Sequence, residues 1–172
     1  MNGAGSEAIP SFIEKTVRFS NGSTFRLGRP LTNYRSCHDG VPAEARMVFI
    51  CTRDNDRASE TTPDEFVMKV KVQIPDENRA KSQSPQAGPS DTTAAELKAL
   101  HKFKEAGLSS VPHLVVAKHA TQGPEPSFPM PGGYIIYTVM TKMPGYEMFG
   151  KFWNLEPKER ELIQDEFVKA LR

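Results

Sequence analysis

Several things are scarce in these 172 residues, and each scarcity removes a class of protein. There are two cysteines, Cys37 and Cys51, too few for a disulfide scaffold and without the CxxC spacing of a metal or redox motif. The net charge is +1, so no electrostatic footprint marks a nucleic-acid or anionic-membrane binder. No apolar run approaches the ~20 residues that span a bilayer. The N-terminus MNGAGSEAIPSF lacks the basic start and apolar stretch of a secretory signal, which leads us to expect an intracellular, cytoplasmic protein with reduced thiols. His101, His113 and His119 are scattered without ligand spacing, so no metal site is expected. Glycine is present but never as GxGxxG; between the first strands only isolated Gly28 and Gly40 occur.

What is present is a set of strand and helix signals. The stretch KTVRFSNGSTFRLGRPL predicts a hairpin, with Asn21-Gly22 in the two positive-φ positions of a type I′ turn and Phe19 and Phe25 on one face. Residues 31–44 read as a loop, including the turn His38-Asp39-Gly40. Met47, Val48, Phe49, Ile50 and Cys51 form a nearly continuous apolar run and predict a buried strand. EFVMKVKVQ then alternates with period two, placing Phe66, Met68, Val70 and Val72 on one face and Val67, Lys69, Lys71 and Gln73 on the other. A helix is predicted over 91–106, with N-caps among residues 91–93, Leu97, Leu100 and Phe103 at helical spacing, and Gly107 at C′. Strands follow over 112–120 and 134–143. A last helix over 154–172 has Pro157 in its first turn and Ile163, Phe167, Ala170 and Leu171 on one face. The fold class is therefore α+β. Residues 1–14 are expected to be a disordered N-terminus, and 76–90 and 121–132 flexible loops.

Three segments in this order carry a resemblance: EFVMKVKVQ with Lys69, TAAELKALHKF with Glu96, and GGYIIYTVMTKMPGYEMF. The chain resembles the protein-kinase-like superfamily, and within it fungal kinase-like proteins related to aminoglycoside phosphotransferases. The likeness covers residues 45–172. It implies a small lobe over 15–143, built as a five-stranded antiparallel sheet with one inserted helix. Residues 144–172 would be the hinge exit and the first large-lobe helix, where the domain is truncated. The resemblance further implies ATP as ligand, with Lys69 on the α- and β-phosphates and Glu96 orienting that lysine through an ion pair. Val67 would cover one side of the adenine, Met140 would guard the back of the pocket, Thr141 to Met143 would offer backbone groups to the base, and Glu147 would approach the ribose.

Each assignment has a competitor. Lys71 shares the face of Lys69. Thr93-Ala-Ala-Glu96 reads equally as a capping box, in which Glu96 turns back to a backbone N–H. VMTKMPG also reads as a core strand ending in a Pro-Gly turn. After the hinge there is no DFG-like aspartate and no catalytic-loop asparagine, so the expectation is no magnesium site, no catalytic residue and no phosphoryl transfer by this chain alone. The aromatic cluster Phe149, Phe152 and Trp153, with the apolar stripe of the last helix, predicts a protein partner or self-association through 149–171. The alternatives to a nucleotide-cradling half are thus a pseudokinase-like interaction module and a gene fragment without its own function.

Overall fold

Alternation along EFVMKVKVQ makes the central strand of the fold two-faced. In the computed structural model, which describes residues 9–37, 40–54, 64–78, 83–145 and 150–170, this segment pairs along its length on both sides. The elements are β1 (Thr16–Arg18), β2 (Thr24–Pro30), β3 (Arg35–Cys37), β4 (Glu44–Arg53), β5 (Glu65–Gln73), α1 (Asp91–Glu105), β6 (Leu114–Thr121), β7 (Tyr134–Thr141) and α2 (Pro157–Ala170). The protein is α+β, with one antiparallel sheet in the order β1-β2-β4-β5-β7-β6, and β3 paired to β4.

The sheet has seven strands where five were expected. One difference is β1, the first arm of the predicted hairpin, which adds an edge strand to the five of the expected lobe. The other is β3, which falls within the expected loop 31–44. It pairs with the first residues of β4, Arg35 opposite Arg46, while β2 pairs with the last, Phe25 opposite Arg53. Thus β2 and β3 occupy one edge of β4 in succession. The break between them is closed by Leu31 N–H donating to Val48 O at 2.7 Å and Val48 N–H donating to Thr32 Oγ1 at 3.0 Å.

The first hairpin forms with a different turn from the one expected. Gly22 has φ 83°, but among the described residues, Asn21 included, no residue other than glycine has positive φ, so Asn21 does not occupy a type I′ position. Gly22 N–H donates to Phe19 O at 3.0 Å and Phe19 N–H to Ser23 O at 2.9 Å, the pattern of a three-residue loop closed by a glycine bulge. Asn21 serves through its side chain, whose Oδ1 accepts from Ser23 N–H and Oγ. Phe19 and Phe25 do share a face, ring centroids 5.6 Å apart and edge to face.

The core lies on one side of the sheet. Phe25, Met47, Phe49, Cys51, Met68, Val70, Val72, Ile135, Tyr137 and Val139 are buried there, all at alternate positions of their strands. Residues 9–14, assigned by sequence to the disordered N-terminus, seal this side: Ile13 is buried, Ile9 and Phe12 pack on the cluster, and Phe12 meets the rings of Tyr34 and Phe128. Burial pushes the Cys51 thiol up to about 12, which keeps it an apolar filler.

The expected flexible loops are also anchored. Gln122 Nε2 donates to the carbonyls of Gln73 and Tyr134, and its Oε1 accepts from Met130 N–H, all within 3.0 Å. Gln73 holds the other loop, donating to Ser84 O and accepting from Gln86 N–H. These two buried glutamines satisfy backbone groups that would otherwise lack partners.

Helix α2 begins at Pro157, the residue best suited to a first helical position, after a single 3₁₀ turn (Phe152–Asn154). Ile163 is half-buried, but Phe167 is 64% exposed, so the stripe read from the sequence is not covered. Leu171 and the side chain of Ala170 lie outside the described residues, as do residues 1–8, His38 and Asp39. No helix among the described residues is long and apolar enough to cross a membrane.

Candidate functional site

The face of β5 opposite the core carries Val67, Lys69 and Lys71, and α1 packs over the polar end of that face. The cap of α1 decides where Glu96 goes. Ser90 is the N-cap, its Oγ accepting from Thr93 N–H at 3.1 Å, so neither Asp91 nor Thr93 fills that position. With the cap three residues before Thr93, Glu96 sits nearly a turn deeper and is released from any capping box. It faces the sheet, where Oε1 accepts from Lys69 Nζ and Oε2 lies 2.9 Å from Lys71 Nζ.

The two lysines are held differently. Lys71 is buried: Nζ donates to Thr93 Oγ1 at 2.7 Å and stands 3.7 Å from Glu44 Oε2. Glu44, also buried, accepts from Thr93 Oγ1 at 2.6 Å, from Tyr134 Oη at 2.8 Å and from Ser90 N–H at 3.3 Å. Lys69 has Glu96 as its one carboxylate partner among the described residues and is more exposed than Lys71. Both lysines line the same cavity, but Lys71 is the more deeply buried and the more heavily engaged, which leaves Lys69 the more accessible of the two.

Burial alone raises the Glu96 carboxyl, but the hydrogen bonds from Lys69 and Lys71 outweigh it and hold the group below its ordinary value. The Tyr134 hydroxyl is pushed well up by burial and by the adjoining Glu44 carboxylate, so it remains a donor.

Lys69, Lys71, Glu96, Glu44, Arg46, Thr92 and Cys37 line one cavity of about 200 Å³. Ligand pockets commonly run ~300–1,000 Å³, so the space suits a small anionic group better than a whole nucleotide. An apolar strip adjoins it. Val67 stands opposite Met140 on β7 and opposite Ile50 on β4, and Val48 stands opposite Lys69. Residues directly opposed in an antiparallel ladder project to one face, so Ile50, Val67 and Met140 continue the cavity's face as an apolar strip, with Ile50 and Met140 buried and Val67 half-buried.

Other residues expected at the site are arranged less simply. The Thr141 N–H donates to His113 O at 3.0 Å, and its hydroxyl accepts from His113 N–H, so that amide is engaged with the strand beside it. Met143 is half-buried just past β7. Glu147 and Phe149 lie outside the described residues. Among the described residues, no group of three or more His, Cys, Asp or Glu is placed to hold a metal ion.

Sequence reading missed Glu44, Arg46, Thr93 and Tyr134. The signal was present for two of them. Glu44, Arg46, Val48 and Ile50 alternate with the core residues of β4, but the apolar run 47–51 concealed that period. Comparison with known proteins finds no matching family model, no similar curated protein and no similar solved structure.

Two consequences are measurable. Lys71→Met leaves the buried Glu44 carboxylate without its cation and is expected to cost about 3–5 kcal/mol in urea denaturation. Lys69→Met removes a more exposed partner and is expected to cost about 1 kcal/mol or less. Equal losses would show that the two lysines are equivalent.

The second concerns acid. A carboxylate whose folded pKa lies below its unfolded value of ~4.3 stabilises the fold above that value, and this contribution is lost as pH falls through the folded pKa. The stability gap between wild type and Glu96→Gln should therefore shrink as pH falls from about 6 to 3. A gap that stays constant over that range would mean the Glu96 charge is not linked to folding.

Proposed function

We propose that the chain is a kinase-like small lobe that binds a nucleoside polyphosphate, ATP being the expected form. Lys69 meets the phosphates, Glu96 orients Lys69, and the base lies toward Val67 and Met140. The observation that carries this reading is the Lys69–Glu96 pair, made between a strand and the helix that follows it, with β7 then returning beside that same strand. The apolar strip beyond the ammonium supports it, since a nucleotide needs an apolar surface for the base next to a cation for the phosphates. The five strands β2, β4, β5, β7 and β6, with α1 inserted after β5, are consistent with the small lobe that the resemblance implies. The proposal is confined to binding. Transfer needs a metal-holding aspartate and a base that these 172 residues do not supply in the family's pattern.

Titration calorimetry with ATP tests it. Lys69→Ala removes a charge-assisted contact worth ~1.5–3 kcal/mol, so the Kd should rise about tenfold or more while the fold persists. A wild-type chain without heat of binding at millimolar ATP, or a Lys69→Ala chain that binds as well, would sink the proposal.

A second reading, a protein-interaction module, rests on a separate observation. Trp153 is 75% exposed, and Leu162, Phe167 and Val168 are exposed on α2. Four exposed large apolar side chains within the one segment 153–168 suit association with another protein surface. On this reading, sedimentation at micromolar concentration should show self-association that Phe167→Glu abolishes. A wild-type chain that stays monomeric removes the support for association with itself.

A further inference from the structure

The charges around the cavity do not cancel in pairs. Arg46, Lys69 and Lys71 face Glu44 and Glu96. Both carboxylates are committed elsewhere. Glu96 holds the two lysines, and Glu44 receives Thr93, Tyr134 and Ser90 and neighbours Lys71. Among the described residues, no carboxylate lies within ion-pair reach of Arg46.

The register sharpens this imbalance. Arg35 on β3 stands opposite Arg46 on β4, and Arg46 stands opposite Lys71 on β5. Three cations thus form one row across the sheet, on the face that carries the cavity. Like charges directly opposite one another destabilise a ladder, so the arrangement works against the fold unless an anion completes it. Lys71 is already neutralised, which leaves Arg46 as the cavity cation without a carboxylate partner among the described residues. Its planar guanidinium is suited to bidentate contact with phosphate oxygens.

We infer that Arg46 is a polyphosphate-binding residue, which grips one end of a linear phosphate chain whose other end lies on Lys69. Lys69 pairs with Val48, two residues along β4 from Arg46, so the two cations are diagonal neighbours some ~7–8 Å apart at their bases, a span that a short phosphate chain covers. The cavity volume also suits such a chain. The inference deepens the nucleotide reading and rests on it for the place of the base. It assigns phosphate binding to a side chain of β4, in a protein whose strand-to-strand connection at this edge carries β3 in place of a glycine-rich loop. The shared ligand chemistry is a linear polyphosphate, either free or as the tail of a nucleotide.

The test is calorimetry of the full chain with inorganic tripolyphosphate, ATP, AMP and adenosine, on wild type, Arg46→Gln, Arg46→Lys and Arg18→Gln. Arg18 is exposed on β1 and controls for the loss of one positive charge. Circular dichroism checks that each variant is folded, and Arg46→Lys retains the charge should Arg46→Gln not fold. Losing a charge-assisted bidentate contact should weaken tripolyphosphate and ATP about tenfold in Arg46→Gln, with AMP changed less than twofold. Arg46→Lys should lie between that variant and wild type. Binding of tripolyphosphate but not adenosine nucleotides, still dependent on Arg46, would uphold this inference while removing the nucleotide reading. Adenosine and ATP binding indifferent to Arg46 would overturn the inference and leave that reading standing. Equal weakening by Arg18→Gln, or no binding of tripolyphosphate to wild type, would also overturn it.

Discussion

The buried carboxylate of Glu44 is the constraint on which the arrangement of helix and sheet depends. A charge in that position is tolerated only when its lone pairs are taken and a cation stands near. Here Thr93 and Ser90 come from the start of α1, Tyr134 from β7 and Lys71 from β5. Four residues from three separate segments converge on one group, and no buried side-chain polar atom is left unsatisfied among the described residues. The convergence ties the first turn of α1 to the sheet. The direction of Glu96 toward Lys69 follows from that tie together with the Ser90 cap.

The sheet divides the work of the molecule between its faces. One face is a continuous apolar cluster closed by the N-terminal segment 9–14 and β1. The opposite face carries the acids, the lysines and Arg46, shading into the Ile50, Val67 and Met140 strip. Stability comes chiefly from the first face through burial of apolar area. The second face tolerates a like-charge row and a partly open cavity, features that local packing rules disfavour and that functional sites commonly retain.

Much of the fold was legible because short-range patterns carry it. Period two in 65–73 identified the faces of β5. Helical spacing with Gly107 at C′ located α1, where Gly107 has φ 65°. The turn of the first hairpin differs from expectation because Asn-Gly fits both a two-residue type I′ loop and a three-residue loop with a glycine bulge, and only the φ of Asn21 and the closing hydrogen bonds separate them. β3 was missed because three residues, Arg-Ser-Cys, show no period of their own and become a strand only where β4 offers an unpaired edge.

The site divides along the same line. The sequence by itself determined that Lys69 and Lys71 share a face and that Glu96 lies on the next helix, since both statements follow from period and order. Only the tertiary structure decided which lysine is buried. That choice depends on Glu44 and Tyr134, 27 and 63 residues from Lys71 in the chain and brought together by strand pairing. The same is true of Arg46. Its own strand reads as apolar core, and its place over the cavity beside Lys71 exists only because β4 and β5 pair in this register, which long-range packing selects and no local pattern specifies.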